Sequence, residues 1–427
     1  MKKDYNSLEY RRSRGAYAAQ CTFEYFVSLL VTDAFLAKLL SSMGISDALI
    51  GIISSFITLA FVIQLASIFL VKARVSAKKL VITFDTISIF FFMLLYLIPF
   101  MPIGKTGKTV LAVCSILIAY AGNYLILTIC YKWANSFVEP IKRARYSANK
   151  EIISLAGGMI FTAVIGYIID KYESIGNLDG GFLFIASAIL ILNICDFVCL
   201  AMIKKEEESI AEYGASFRTV IKHTVGNKNF RGVILLTVMW DTARYFSIGF
   251  MGTFKTKDLM ISVFAVQLIN IIGSFARMAL SRPFGAYSDK NSFAKGFNLA
   301  LIIAAAAFFI NMFTTNSTWY FIIIFTVLYN VCQAGTNQNS YNITYSYVDL
   351  EYIPQAMAIK NSIGGLCGFG ASVIAGKLLG AVQAHDNMIF GIHIYGQQIL
   401  SGISFIIIAA AIVFVKFRIE KQEIKIQ

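Results

Sequence analysis

The sequence predicts an all-α membrane protein, with twelve transmembrane helices in two pseudo-symmetric six-helix bundles. Two observations carry this prediction. Of the 427 residues, 57% are hydrophobic and only 14% are charged, whereas charged residues make up about 25% of an ordinary soluble domain. The apolar residues also gather into blocks of roughly 20 residues, the length that a helix needs to cross a hydrocarbon core of about 30 Å.

A polar middle, residues 204–231, divides the chain into two nearly equal parts. It is the longest stretch without an apolar block of bilayer length, and six blocks precede it and six follow it. We therefore predict an N-terminal six-helix bundle in residues 1–203, a cytoplasmic hinge loop in residues 204–231 and a C-terminal six-helix bundle in residues 232–427. The blocks are residues 20–41, 47–71, 80–100, 109–131, 150–170, 181–203, 232–254, 258–281, 296–315, 318–338, 356–380 and 392–416.

The positions of Lys and Arg predict the orientation, because cytoplasmic loops are enriched in these residues. If the N-terminus is cytoplasmic, most of the Lys and Arg residues lie on the inner side, in the two termini, the hinge and the other inner loops. Few of them lie on the outer side. We therefore expect a multi-pass protein of the cell membrane with both termini in the cytoplasm. The net charge of +13 then reflects topology, and no nucleic-acid partner is expected. The outer set is Lys38, Lys105, Lys108, Lys171, Lys255, Lys257 and Lys377.

Cysteine and proline usage fits a packed helical bundle. The seven cysteines lie in apolar blocks or at their edges, where Cys acts as a small packing residue. Cys195 and Cys199 share a helix face without any accompanying His, so neither a metal site nor a cofactor is expected. All five prolines are expected at block ends or in loops. The polar, basic N-terminus and the length of the first block argue against a cleavable signal peptide.

An internal repeat supports the division into halves. A shift of 210 residues lays residues 135–166 over residues 345–376 without gaps, and both segments lead into the fifth block of their half. Parallel halves of six helices each are a known transporter design. The identities include Ser136/Ser346, Val138/Val348, Ala148/Ala358, Lys150/Lys360, Ile153/Ile363, Gly158/Gly368 and Gly166/Gly376.

The loop between the eighth and ninth blocks carries a recognisable motif. It contains Gly285, then three residues, then Asp289 and Lys290. This pattern resembles the cytoplasmic signature of the major facilitator superfamily, although the later glycine and basic pair of that signature are missing. The corresponding first-half loop, residues 71–80, keeps basic residues but no matching Gly or Asp. With the helix count and the hinge, the resemblance covers nearly the whole chain.

The resemblance implies a secondary transporter in which two bundles rock around a central cavity. In that family the first and fourth helices of each half line the cavity, with help from the second and fifth. It also implies that Gly285, Asp289 and Lys290 take part in gating at the cytoplasmic side.

Three charged residues lie deep within blocks on these helices: Asp33, Asp241 and Arg244. A charge inside the bilayer is expensive and is therefore a functional candidate. Asp241 and Arg244 are three residues apart on one helix face, which suits substrate binding or a mutually neutralising pair that only holds the bundle together. No cation shares the local helix face of Asp33, so we assign the proton-coupling role to Asp33. Glu24, Asp85, Lys132, Asp196 and Arg277 lie nearer block ends, where they are expected to serve structure or to reach water.

Amides and aromatic residues on the implied cavity helices add a polar lining. Such groups suit a hydroxylated solute such as a sugar or a related metabolite, although interhelical hydrogen bonding is an alternative use. With the charged pair, the predicted substrate-binding set is Asn123, Tyr124, Asp241, Arg244, Gln267, Asn270, Asn330, Gln333 and Asn337.

Enzymatic functions receive no support from the sequence. The three histidines lie in predicted loops, and neither HExxH nor GxSxG is present. The stretch Gly104–Thr109 looks like part of a phosphate-binding loop, but Pro102 replaces the required first glycine and no strand precedes it.

We therefore expect a monomeric secondary active transporter of a small polar solute, sugar-like and proton-coupled, whose partners are the solute, the ion and the lipid bilayer. The alternatives are an exporter of drugs or metabolites, and a non-transporting receptor or scaffold on the same fold.

Overall fold

The computed structural model describes residues 5, 7–70, 76–139, 143–204, 221, 223–349, 352–389 and 391–421. Most of the predicted hinge loop lies outside this part of the chain. The described residues are helical almost throughout, and their strands form one short antiparallel hairpin in which Met388–Ile389 (β1) pairs with Ile392–His393 (β2).

The helices follow the predicted blocks closely. In the first half they are α1 Leu8–Leu30, α2 Asp33–Ser42, α3 Asp47–Ser54, α4 Ile57–Leu70, α5 Ala77–Leu97, α6 Lys105–Ser136, α7 Arg143–Ser174 and α8 Leu178–Met202. In the second half they are α9 Lys228–Ser247, α10 Val263–Lys290, α11 Phe293–Asn311, α12 Phe321–Tyr345, α13 Ile353–Gln383 and α14 Gly396–Phe414. Short 3₁₀, α-helical and π-helical turns continue α9 to Asp258, and a π-helical turn continues α14 to Ile419.

The predicted fold class is confirmed. The apolar blocks fall largely on helix, and within the described residues nine helical spans are long and apolar enough to cross a membrane. The blocks outside that set belong to α1 with α2, to α9 and to α12. Each of these helices carries a buried polar residue, namely Gln20, Asp241 and Asn339.

Two of the predicted blocks are broken rather than continuous: the first, residues 20–41, and the second, residues 47–71, which breaks between α3 and α4. The first block breaks at Val31 and Thr32 between α1 and α2, and the Tyr96 hydroxyl donates a 2.5 Å hydrogen bond to the Leu30 carbonyl there. Because the helix breaks here, the Leu30 carbonyl is not part of a regular helical hydrogen-bond ladder. The Tyr96 hydroxyl therefore satisfies an acceptor that would otherwise be buried without a partner. Asp33 follows the break with φ of 46°, a left-handed conformation uncommon outside glycine.

One expectation about proline was wrong. The segment 282–290 is the end of α10 rather than a loop, and Pro283 lies inside that helix. Pro283 has no N–H to donate to Ala279, and a proline ring also crowds the carbonyl four residues earlier. Bundle helices tolerate such a residue because neighbours can satisfy the released backbone group.

The chain forms two compact units. Unit 1 comprises Met1–Ile45, Ile63–Tyr213 and Ser262–Gln267; unit 2 comprises Ser46–Val62, Gly214–Ile261 and Leu268–Gln427. The units differ from the predicted bundles in two segments, 46–62 and 262–267. Within unit 2, residues 46–62 pack closely on α13, and a Cβ at Gly365 would lie 2.4 Å from the Thr58 carbonyl oxygen. The close approach explains why a glycine stands at position 365.

Each unit has its own apolar core. In unit 1, α1, α5, α6 and α8 enclose Tyr17, Val81, Trp133 and Phe137. The Trp133 indole N–H donates to the Lys204 carbonyl beyond the end of α8, at 3.1 Å. The larger core of unit 2 is built from α9, α11, α12, α13 and α14.

Candidate functional site

A polar cavity of about 240 Å³ lies within unit 1. Its walls come from α1, α5, α6 and α7, and it is partly open on one side. A pocket of this kind, with few polar groups on an apolar wall, is the usual form of a small-molecule site. The polar lining includes Tyr17, Gln20, Glu24, Asp85, Asn123 and Lys150.

Glu24 on α1 is the best-connected acidic group of the cavity wall. The side-chain amide of Asn123 on α6 donates to Glu24 Oε1 at 2.6 Å. Gln20, one helical turn before Glu24, donates its amide N–H to Glu24 Oε2 at 3.2 Å. The carboxyl group is thus held by two neutral amides, which orient it without neutralising its charge.

Lys150 on α7 supplies a positive charge to the same cavity. Its Nζ atom donates to Cys21 Sγ at 3.3 Å and lies 4.9 Å from the centre of the Tyr17 ring. The Cys130 thiol points at the Tyr17 hydroxyl, with 3.8 Å between Sγ and the oxygen. The cavity therefore combines a cation, carboxyl groups, amides and an aromatic ring, which suits a polar solute with both donors and acceptors.

The structure separates the predicted site residues of the first half. Asn123 lines the cavity and contacts Glu24. Tyr124 is its half-buried neighbour on α6 and is not part of the lining. Asp33 is half-buried at the start of α2, beyond the helix break, and is also outside the lining.

The predicted charged pair of the second half forms in unit 2. Arg244 Nη2 lies 3.6 Å from Asp241 Oδ1 and donates to the Tyr245 hydroxyl at 2.5 Å. Asp241 is buried, and a Cβ at Gly364 on α13 would lie 2.4 Å from Asp241 Oδ2. Buried Lys360 donates to Ser340 Oγ at 2.7 Å and is close enough to Asp241 to interact electrostatically.

The predicted amides are dispersed. Gln267 is buried and packs against Gly166 within unit 1. Asn330 donates to the Thr326 carbonyl of its own helix at 2.9 Å and packs against Gly273. Asn270 and Gln333 are half-buried, and Asn337 is exposed. Hydrogen bonding within a helix and packing between helices account for Asn330 and Gln267 without a solute.

The three predicted gating residues lie at the end of α10. Asp289 and Lys290 are exposed in its last turn. Gly285 is half-buried and faces α12, where a Cβ would lie 3.1 Å from Gln338 Nε2. The gating role of the three residues stays a prediction.

Comparisons with known proteins decide the family. The model of the Major Facilitator Superfamily matches residues 18–369. The chain belongs to this superfamily.

Solved structures of other superfamily transporters share the fold at low sequence identity. The nucleoside transporter NupG has a TM-score of 0.68 at 14% identity, covering 96% of this chain and 100% of that chain. A bacterial homologue of the human lysosomal transporter Spinster has a TM-score of 0.67 at 12% identity, covering 97% of each chain. The E. coli fucose:proton symporter FucP has a TM-score of 0.54 at 13% identity, covering 96% and 99%. Comparison with curated protein sequences gives no match.

Within this superfamily fold, sequence reasoning undervalued the acidic residues of unit 1. Glu24 was expected to serve structure, yet it faces the cavity. The sequence does contain an indication of this face, because Tyr17, Gln20 and Glu24 recur at helical spacing on one side of α1. Asp85 and Asp196 were expected to reach water near the block ends, but they are only 1% and 0% exposed. Their burial depends on packing among α1, α5, α6 and α8, which no local pattern records.

Proposed function

We propose that this superfamily member is a secondary active transporter of a small polar organic solute, sugar-like or a related metabolite, and that transport is coupled to protons by alternating access. We further propose that it works as a monomer in the cell membrane with both termini in the cytoplasm. The observation that carries the proposal is Glu24, a carboxyl group in a polar cavity held by the amides of Asn123 and Gln20.

The surroundings of Glu24 support a role in coupling. An acidic group inside a membrane bundle is kept at a cost in desolvation and is a default functional candidate. Two neutral amides can hold either the carboxylate or the protonated acid, since an amide offers both a donor and an acceptor. Glu24 can therefore gain and lose a proton without losing its position. We propose Glu24 as the coupling residue, with Asp33 as the rival from sequence.

The lining supports a hydroxylated solute. Amide, carboxyl and phenol groups exchange hydrogen bonds with hydroxyl groups, and an aromatic face covers the apolar side of a sugar or base. NupG transports nucleosides and FucP is a fucose:proton symporter by their descriptions. Both solutes carry a hydroxylated ring, which fits this chemistry.

The remaining predicted roles stay part of the proposal. Gly285, Asp289 and Lys290 are proposed to act in gating at the cytoplasmic end of α10. Asp241 and Arg244 are proposed to bind solute or to stabilise unit 2, and these two roles give different mutant behaviour.

The test is a binding screen followed by flux measurements. Sugars, nucleosides, organic acids and amino acids are added to purified full-length protein, and the unfolding midpoint is measured, because a ligand of the native state raises it. Compounds that stabilise the wild-type protein are expected to lose their effect in Asn123→Ala and to keep it in Ser187→Ala, which changes an exposed serine on α8. A stabilising compound that acts equally on both variants would place binding outside the cavity.

Flux in proteoliposomes separates the classes of function. Uphill accumulation driven by an inward proton gradient supports a symporter. Movement against the opposite gradient indicates the alternative, an exporter. A protein that binds the solute but moves none across the membrane would be a receptor or scaffold, and the proposal of transport would fail.

A further inference from the structure

Two buried carboxyl groups lie at the wall of the cavity of unit 1 and directly behind it. Asp85 lies on α5, eight residues after the helix begins, and Asp196 lies on α8, six residues before the helix ends. At a rise of about 1.5 Å per residue these positions are roughly 12 Å and 9 Å inside their helices. Asp85 contributes to the cavity lining, whereas Asp196 stands behind it.

Three of the four oxygens of these carboxyl groups lack the hydrogen bonds that buried carboxylates need, among the residues that the structure describes. Within the described part of the chain, no hydrogen-bond partner reaches Asp85 Oδ2 or either oxygen of Asp196. The two carboxyl groups are close enough to interact with each other. Two ionised carboxylates in this arrangement would repel each other in a medium that solvates neither of them.

Among the described residues, the titratable groups that face the pair are a carboxyl group and two thiols. Glu24 and Gln20 face it from α1, Cys130 from α6 and Cys199 from α8 itself. Lys150, the cation of the cavity, directs its Nζ atom to Cys21 Sγ instead. Among the described residues, no group of three or more His, Cys, Asp or Glu side chains is arranged to hold a metal ion.

A proton shared by the two carboxyl groups removes this repulsion. One proton between the carboxyl groups leaves the pair with a single negative charge and provides the missing donor, because a protonated carboxyl group donates to an ionised one. We infer that Asp85 and Asp196 share one proton and form a proton-binding site at the cavity wall. The superfamily motif at Gly285, Asp289 and Lys290 gives no indication of this site.

The pair is linked to Glu24 through Gln20. The Gln20 amide donates to Glu24 and also lies close enough to Asp196 to interact with it, although its N–H does not reach either Asp196 oxygen at hydrogen-bond geometry. The charge of the pair therefore acts electrostatically on Glu24. This second step, a contribution of the pair to proton coupling, rests on the proposed function; the shared proton does not.

Infrared spectroscopy tests the shared proton on the full-length protein in lipid nanodiscs. A protonated carboxyl group has a C=O stretching band that a carboxylate lacks. The wild-type protein is expected to show such a band near neutral pH. Asp85→Asn and Asp196→Asn are each expected to lose it, because the asparagine N–H replaces the shared proton and leaves the other group ionised. Ser187→Ala is expected to keep it.

Other spectra would overturn the inference. A wild-type protein without the band at neutral pH would carry two ionised groups. A band that survives in both single variants would belong to another residue or to two separately protonated acids. If a variant does not fold, the wild-type protein is labelled with carbon-13 aspartate and measured above pH 7, where Asp258, with its pKa of about 6, is ionised. An aspartic acid band must then shift and a Glu24 band must not.

The contribution to coupling has a separate readout. In proteoliposomes Asp85→Asn is expected to shift the pH profile of solute uptake while solute exchange continues. Loss of the infrared band with an unchanged pH profile would leave a proton site that plays no part in coupling. The spectra need no solute and no flux, so they stand even if the protein does not transport.

Discussion

Asn123 on α6 and Glu24 on α1 are joined by a 2.6 Å hydrogen bond across the cavity of unit 1. The bond connects the first and fourth transmembrane segments of the N-terminal half, which are nearly one hundred residues apart in the sequence. It holds an acidic group where a solute or a proton can reach it, and it makes Glu24 the first residue to test.

Substitution of Glu24 is expected to separate proton-driven accumulation from exchange. Glu24→Gln can still bond to both amides, because one of them can turn its oxygen toward the new N–H, but it cannot take up a proton. Uphill accumulation of solute should therefore be abolished. Exchange of labelled for unlabelled solute should continue, because exchange needs no net proton movement. The measurement is uptake into proteoliposomes with and without a proton gradient.

Asp33→Asn is the matched comparison for Glu24→Gln. Asp33 lies at the start of α2 and does not line the cavity, so accumulation in this variant should persist with a normal pH profile. The opposite result, in which Asp33→Asn abolishes accumulation and Glu24→Gln does not, would return the coupling role to the residue that sequence reasoning favoured.

Asp241 is expected to stabilise unit 2 through Arg244. Asp241→Asn leaves the half-buried guanidinium group of Arg244 without its counter-charge, at a cost of about 1–3 kcal/mol. The unfolding midpoint should fall. A double variant, Asp241→Asn with Arg244→Gln, should recover much of the loss because the guanidinium charge is no longer left uncompensated. If the double variant is no more stable than the single one, the two residues do not act as a pair.

Gly364→Ala tests the same site from α13. The added Cβ would lie 2.4 Å from Asp241 Oδ2, so one helix or the carboxyl group must move, at a cost of about 1–3 kcal/mol. Gly370→Ala on the same helix is the control, because nothing lies within 4 Å of a Cβ there. Equal stability of the two variants would contradict the close packing of Gly364 on Asp241.

The sequence predicts the fold well because the length of an apolar block is a local property. It predicts the cavity less well, for a reason visible in α1. The break at Val31 and Thr32 changes the direction in which later side chains point, so the face occupied by Asp33 does not follow from the face occupied by Glu24. The pairing of Asp85 with Asp196 depends on two helices far apart in the sequence. No periodicity within either helix encodes it.

Asp258 is expected to make the stability of unit 2 depend on pH. Burial, with the nearby Asp47 carboxylate adding to it, raises the pKa of Asp258 from its ordinary value of 3.8 to about 6. Gln397 donates to Asp258 Oδ2 at 2.9 Å, while Asp47 accepts from Lys257 at 2.7 Å. The folded state binds this proton more tightly than the unfolded chain. The resulting stabilisation is full below pH about 4, decreases as the pH rises and is lost above pH about 6.

The test compares unfolding midpoints between pH 4 and pH 8, a range of about two units on either side of that pKa. Asp258→Asn should remove this part of the pH dependence, so the difference in midpoint between variant and wild type should change across pH 6. Asp179→Asn, at an exposed position in the first turn of α8, serves as the control. A constant difference over the whole range would show that Asp258 does not titrate differently in the folded protein.

The orientation predicted from Lys and Arg is open to a direct test. In a protein whose native cysteines have been replaced, single cysteines at Lys105 and Lys171 should react with an impermeant thiol reagent added outside cells. A cysteine at Ser292, between α10 and α11, should react only after the membrane is permeabilised. The reverse pattern would place both termini outside.

Asp170 is expected to fasten the beginning of α10 to α7 within unit 1. Its carboxylate accepts the backbone N–H groups of Val263 and Phe264, at 3.0 Å and 2.8 Å. These N–H groups belong to the first turn of α10, which has no partners of its own for them and carries the positive end of the helix dipole. An acidic cap of this kind is worth about 1 kcal/mol, and Asp170→Ala should remove it.

The loss should be local and should appear in hydrogen exchange. Amides in residues 263–267 are expected to exchange faster in Asp170→Ala, and Asp170→Asn should lie between the variant and the wild type because its single oxygen can accept from only one side. Glu173→Ala is the matched control: it lies one turn further along α7 and removes an exposed ion pair with Lys38, so exchange in residues 263–267 should not change. Equal protection in all four proteins would mean that packing, including the contact of Phe264 with Gly166, holds α10 in place without the cap. Faster exchange confined to the Asp170 variants would make Asp170 the fastening point of the first turn of α10, at the end of α7 that is predicted to face the outside of the cell.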